Sequence, residues 1–126
     1  MSDAYEALVS ERAVRKILSE KLGTKVVEKK LVYAVVDGRP KTHEYDLVAN
    51  TKNGLLIGEV KASSFSSGAR YPTKRARAFE ACVYLQAIEA ARKILVCTER
   101  EFFEHFKDDA KGLISDDIEI MLIEVE

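Results

Sequence analysis

Glu59, Val60 and Lys61 end the apolar run LLIGEVK, which begins at Leu55. A carboxylate and an ammonium at the end of a buried-looking strand are costly unless solvated, paired or bound to metal. Upstream, Asp46 ends the stretch Glu44-Tyr45-Asp46, and Lys52-Asn53-Gly54 lies between the two. Asn-Gly tolerates positive φ, so the whole segment predicts a β-hairpin. A turn at Asn53-Gly54 sets Asp46 opposite Lys61 with Glu59 diagonal to it. A turn at Lys52-Asn53 sets Asp46 opposite Glu59 instead. In either register, period-two alternation puts Asp46, Glu59 and Lys61 on one face. Opposed Cβ atoms lie about 5 Å apart and diagonal ones ~7 Å. Two carboxylates at that separation can hold one hard divalent cation, Mg²⁺ or Mn²⁺, with water completing its shell. Such a cation can polarise a phosphodiester and lower the pKa of a water, while a neighbouring lysine positions or deprotonates that water or stabilises the pentavalent phosphate. The chemistry expected of these residues is metal-dependent phosphodiester hydrolysis.

The elements that must position them follow from pattern and punctuation. Ser2-Asp3 caps a helix running to about Leu22, where Gly23 stops it. Its apolar positions Leu8, Val14, Ile17, Leu18 and Leu22 recur at helical spacing. Residues 25–36 are valine-rich and predict a strand; Asp37-Gly38 and Pro40 mark a turn. Residues 42–51 and 55–62 are the hairpin strands. Residues 63–70, SSFSSGAR, predict a flexible loop. Pro72 suits a first helical turn, and the helix is expected to run to about Arg92 with Phe79, Val83, Leu85 and Ile88 in the core. Residues 93–98 predict a short buried strand, 99–111 a third helix, and 117–126 a closing strand. The order αβββαβαβ, antiparallel strands first and helix-connected strands later, implies a single α/β domain over 1–126 with a mixed sheet between helices.

Asp46, a twelve-residue spacer and Glu59-Val60-Lys61 across a hairpin, within that element order, resemble the PD-(D/E)xK nuclease superfamily. These are the restriction-endonuclease-like enzymes, archaeal Holliday-junction resolvases among them. Tyr45 stands where the signature has proline, and there is no glutamine-tyrosine signature of the RecB-like branch, since Tyr84 and Gln86 are too close together. The resemblance implies a restriction-endonuclease-like core and a Mg²⁺- or Mn²⁺-dependent endonuclease acting on DNA, structured or branched, with a non-catalytic DNA-binding or assembly subunit as the alternative. It also implies that Asp46, Glu59 and the Val60 backbone carbonyl are metal ligands and Lys61 the catalytic lysine. The stretch SERAVRKILSEKLG resembles the resolvase helix, which makes Glu11 the candidate helix glutamate and Glu6 the second choice. Cutting a junction or both strands takes two sites, so a homodimer is expected. Phe102, Phe103 and Phe106 are assigned to the core, with a dimer interface as their other use together with the last strand.

Arg70, Tyr71, Lys74, Arg75 and Arg77 lie in eight residues directly after the loop. Cations at a helix start oppose the helix dipole, so they are assigned to phosphate contacts, with Tyr71 available to stack on a base. Ser63 and Ser64 can add hydrogen bonds to phosphate. Glu44 is expected to face solvent, and His43 to lie on the face away from the acids in a structural role. The net charge of −1 argues against a generally basic nucleic-acid coat protein. No apolar run approaches the ~20 residues that span a bilayer, and the first residues lack a signal-peptide pattern; a cytoplasmic protein with no membrane partner and no organic cofactor is expected. Cys82 and Cys97 make no metal spacing and are expected to be reduced and buried. Scarce Asn and Gln beside abundant Lys and Glu lean towards a thermophilic source.

Overall fold

The computed structural model describes residues 3–62 and 70–125, with side chains from residue 7 onward. Helix α1 (Asp3–Leu22) ends where Gly23 adopts φ 65° and returns its N–H to the Ser19 carbonyl at 3.0 Å. That left-handed residue is what a helix C-terminus takes most cheaply from glycine. Strands β1 (Val27–Val36) and β2 (Arg39–Thr51) pair antiparallel around Asp37-Gly38. Both turn residues have positive φ, 51° and 75°, the geometry that matches strand twist in a tight hairpin.

Strand β3 (Gly54–Lys61) pairs antiparallel with β2, Thr51 opposite Gly54 and Leu47 opposite Gly58. The turn is therefore Lys52-Asn53, not Asn53-Gly54. Only Gly54 takes positive φ, 120°, and the Thr51 hydroxyl accepts the Asn53 N–H at 3.2 Å while donating to the Gly54 carbonyl at 2.8 Å. Asn53 is thus served by a side chain and needs no left-handed backbone.

Helix α2 (Tyr71–Gln86) leads to β4 (Arg92–Cys97), parallel to β3, and α3 (Arg100–Ala110) leads to β5 (Ile118–Leu122), parallel to β4. The protein is an α/β domain with a five-stranded mixed sheet in the order β1-β2-β3-β4-β5 and three flanking helices. Two right-handed crossovers moving the same way along a sheet put both helices on one face. Accordingly α2 and α3 cover Tyr45, Val48, Ile57, Leu95 and Cys97 through Ala78, Cys82, Leu85, Phe102 and Phe106. On the other face α1 sets Val14 and Leu18 against Leu47, Ala49, Leu56, Val60, Ile94 and Val96. Gly58 belongs to that second face. A Cβ there would come within 2.8 Å of Leu47 Cδ1 and 2.7 Å of Ile94 Cγ1, so the missing side chain lets its neighbours close over β3.

Helix α2 stops at Gln86, short of the expected Arg92, because Arg92 is already paired with Leu56. Sheet pairing overrides helical propensity in this segment. Val83, expected in the core, is 63% exposed. The helix docks instead through the smaller residues Ala78, Ala81 and Cys82, with Leu85. Leu8 is likewise exposed, whereas Val14 and Leu18 are buried as expected. Phe102 and Phe106 are fully buried, which settles them as core. No helix among the described residues is long and apolar enough to cross a membrane.

Candidate active site

The site begins with an irregularity in β2. Val27 pairs with Val48, but Lys29 pairs with Tyr45, so Glu28 alone opposes Asp46 and Leu47. Two residues against one is a β-bulge, a device that re-aims side chains. Its effect shows in the packing: Tyr45 and Val48 lie on the α2–α3 face, although strict alternation would separate them. Asp46 turns towards α1. There Arg15 Nη1 donates to the Asp46 carbonyl at 3.1 Å, and Glu11, one helical turn before Arg15, hydrogen-bonds the Asp46 carboxylate. Glu28 completes the group, with carboxyl oxygens of Glu11, Glu28 and Asp46 all within 4.8 Å of one another.

Glu59 meets Asp46 from the other side. Continuing the register one step past Leu47–Gly58 brings the two residues opposite each other. The strands part at that step. Asp46 Oδ2 accepts the Val60 N–H at 2.9 Å, and the Asp46 N–H donates to Glu59 Oε2 at 3.4 Å. Asp46 and Glu59 also share a side-chain hydrogen bond. The expectation of a single shared face is therefore corrected. Because of the bulge, Asp46 leans to α1 while Glu59 stays on the α2–α3 face, and their carboxyls touch through the gap between strands. His43 is corrected with it. It lies on Glu59's face, its Nε2 hydrogen-bonded to Glu59 Oε1. Its ring is stacked on Tyr84 at 3.7 Å and edge-on to Tyr45 at 4.7 Å. The Tyr45 hydroxyl in turn donates to the Tyr84 carbonyl at 2.7 Å.

Crowding sets the electrostatics. Burial, then the hydrogen bond and repulsion from Asp46 and repulsion from Glu28, push the Glu11 carboxyl up to about 8, against a smaller opposing pull from Arg15. Burial first, then repulsion from Asp46, push Glu59 up to about 9, against the pull of Lys61. Burial lowers the pKa of His43, against the raising influence of Asp46. Glu59 is 4% exposed and is the only buried acid among the described residues. Lys61 is two residues along the same strand and half-buried, close enough to act on Glu59, His43 and both cysteines.

The donor set fits a hard divalent cation. Two Mg–O bonds on opposite sides of one ion span about 4.2 Å, inside the 4.8 Å that encloses the Glu11, Glu28 and Asp46 oxygens. All donors are carboxylates, the ligands preferred by Mg²⁺ and Mn²⁺. Glu59 lies outside that group of three and adjoins it through Asp46. Val60 reaches the site through its amide.

The basic segment is largely tied into the fold. The Tyr71 hydroxyl donates to Asp109 at 2.7 Å and its ring meets Phe102 and His105. Arg75 Nε lies 3.2 Å from Asp109, an ion contact without hydrogen-bond geometry, and its guanidinium covers Phe79. Lys74 is buried. Arg70 and Arg77 are exposed. Ser63 and Ser64, and the side chain of Glu6, lie outside what the structure describes. Glu44 is exposed, opposite Lys30. Cys82 and Cys97 are buried free thiols, pushed up to about 11 and about 12 by burial.

Glu28, Tyr84 and Arg15 join the site without having been singled out in the sequence, and His43 joins it although a structural place on the opposite face was expected. Arg15 had a signal, its i,i+4 spacing from Glu11. The others depend on the bulge and on Tyr84 of α2 reaching Tyr33, His43 and Tyr45 of β1 and β2, which no local pattern announces. A groove of about 470 Å³ lined by Leu22, Thr24, Asn50, Lys52 and Arg92 opens at the turn end of the hairpin, away from the acids. Compared with protein-family models, curated proteins and solved structures, the chain matches none.

Proposed function

We propose that the protein is a metal-dependent endonuclease that hydrolyses phosphodiester bonds in DNA, with a restriction-endonuclease-like core and a PD-(D/E)xK site. The observation that carries this reading is the convergence of Glu11, Glu28 and Asp46 within 4.8 Å, with Glu59 against Asp46 and Lys61 beside it. Like charges are not gathered this way for stability, because each repels the others; a divalent cation relieves that repulsion. The element order supports the reading too, since Asp46 and Glu59 fall on the second and third strands of the meander and Glu11 on the first helix, with Glu28 added from the first strand.

Glu11, Glu28 and Asp46 would hold Mg²⁺ or Mn²⁺, with Glu59 adjoining them through Asp46. Bound there, the ion would supply a polarised phosphate and a water of lowered pKa. Asp46 stands at the centre, its carboxylate fixed by the Val60 amide. Lys61 would orient or deprotonate the attacking water and offset charge on the phosphate. Arg70 and Arg77 supply exposed cations for the DNA backbone on the strand-exit side. Cutting both strands needs two sites, so a homodimer accompanies this reading; with Phe102 and Phe106 buried, its surface must come from elsewhere.

The test is cleavage of end-labelled single-stranded, duplex, flap and four-way-junction DNA with Mg²⁺, Mn²⁺ or EDTA, with Asp46→Ala alongside. Metal-dependent cutting lost in the variant is expected. Equal cutting by the folded variant would overturn the assignment. A second reading, a non-catalytic DNA-binding or assembly subunit, is favoured by one observation: Glu11 and Glu59 can be neutralised by protons, and Glu59 already has His43 as a partner. A scaffold of that kind binds no Mg²⁺ or Mn²⁺ at these acids, which calorimetry detects.

A further inference from the structure

We propose that His43 is a positioning residue: held flat against Tyr84, it fixes the Glu59 carboxylate in the orientation that presents its second oxygen to Asp46 and the bound cation. This inference rests on the metal-site reading above and adds a residue to it.

A glutamate side chain has three rotatable bonds and, left alone, does not keep one carboxylate plane. Glu59 is fixed at both oxygens. Oε1 meets His43 Nε2, and Oε2 accepts the Asp46 N–H at 3.4 Å. The imidazole cannot swing to follow a different carboxylate position. Tyr84 stacks on it with ring planes 7° apart, Tyr45 meets it edge-on at 89°, and the Tyr45 hydroxyl locks onto the Tyr84 carbonyl at 2.7 Å. Tyr84 has Tyr33 against its edge at 5.5 Å. Tyr33 stands at a second irregularity of the β1–β2 pairing, where Val32 pairs with Thr42 but Ala34 with Lys41. Two bulges therefore meet at one site: one releases Asp46 towards α1, and the other falls where β1 supports the aromatic platform behind His43.

If His43 served packing alone, the stack on Tyr84 would suffice and its nitrogen would need no acidic partner. The nitrogen instead ends on the one buried acid described, next to the residue on which the carboxyl cluster centres. Groups that hydrogen-bond a metal ligand hold it in place, and their loss typically weakens metal binding about 10–100-fold.

The test is calorimetric titration of the full chain with Mn²⁺, comparing wild type, His43→Leu and His43→Gln. Leucine keeps bulk against Tyr84 without a polar atom; glutamine carries an amide nitrogen close to the place of Nε2. Mn²⁺ binding weakened about 10–100-fold in His43→Leu, with most of it restored in His43→Gln, is the expected result. Equal affinity in all three proteins would overturn the positioning role, and so would a glutamine variant as weak as the leucine one, since only the ring's packing would then matter. A wild type that binds no Mn²⁺ would instead overturn the metal-site reading, and this role with it. A measurement on the wild type alone covers the case in which a variant does not fold. Saturating Mg²⁺ should move the His43 imidazole ¹⁵N resonances, and unmoved resonances in Mg²⁺-bound protein would also overturn the proposal.

Discussion

The two ends of the β2–β3 hairpin are built on opposite rules. From Leu47–Gly58 down to Thr51–Gly54 the ladder is regular. Its residues alternate between two apolar layers, and Gly58 is squeezed until a Cβ would not fit. One step above, at Asp46 and Glu59, the alternation breaks, the strands part, and the acids gather with α1. The lower end is where stability comes from, and the upper end is where folding energy is given up. The difference shows how a small sheet makes a site: a bulge one residue long frees a carboxylate from the layer to which its position in the strand would assign it.

The largest effects should fall on the upper end and leave the fold alone. Asp46→Ala should lower metal-dependent cleavage on the order of 10³-fold, while its melting temperature in EDTA stays level or rises because repulsion on Glu11 and Glu59 is removed. A variant that unfolds would break the comparison, since Asp46 would then be structural. The lower end and the apolar layer packed on it should behave in reverse. Phe106→Ala should lose about 3–5 kcal/mol of stability and Gly58→Ala about 1–3 kcal/mol, both measured by urea unfolding, with cleavage per folded molecule retained.

The pH dependence sharpens the contrast. Glu11 and Glu59 have folded-state values of about 8 and about 9 against ordinary values of 4.5. A carboxyl raised on folding binds its proton more tightly in the native state, so its stabilisation is complete below 4.5 and is lost as pH rises towards 8–9. In EDTA the melting temperature should fall across that window, and less so in Glu59→Gln. With saturating Mg²⁺ the fall should shrink or reverse, because the ion takes the protons' place. A flat profile in EDTA would show that the acids are not crowded. The smallest effect is expected at Tyr71→Phe, which removes the hydroxyl bonded to Asp109: about 0.5–1.5 kcal/mol and unchanged DNA affinity. Weaker DNA binding with unchanged stability would restore Tyr71 to the nucleic-acid surface.

The element order was legible in the sequence because alternation, caps and turns are local. Asp37-Gly38 and Gly23 adopt the positive φ their types suggest. Val83 misled, because an apolar residue on a helix does not say which face docks when alanines and a cysteine let the helix approach more closely. Asp46, Glu59 and Lys61 could be picked out by type and spacing, and Glu11 by the helix that carries it. Their arrangement could not. The bulge arises from how β1 pairs with β2, and Glu28 and His43 enter only through it. The basic run at Arg70 to Arg77 read as a phosphate surface; what no local pattern announced is that Tyr71 and Arg75 also contact Asp109 of α3.

The most direct measurement of the central claim is a Mn²⁺ titration of the wild type and Asp46→Asn at pH 7, repeated in buffers of different ionisation enthalpy. Glu11 and Glu59, raised above 7, should surrender protons as the ion enters. The expected result is one site per chain whose binding releases protons, with both the site and the release lost in Asp46→Asn. Absence of binding in the wild type, or binding undiminished in the variant, would contradict a metal centre built on Asp46.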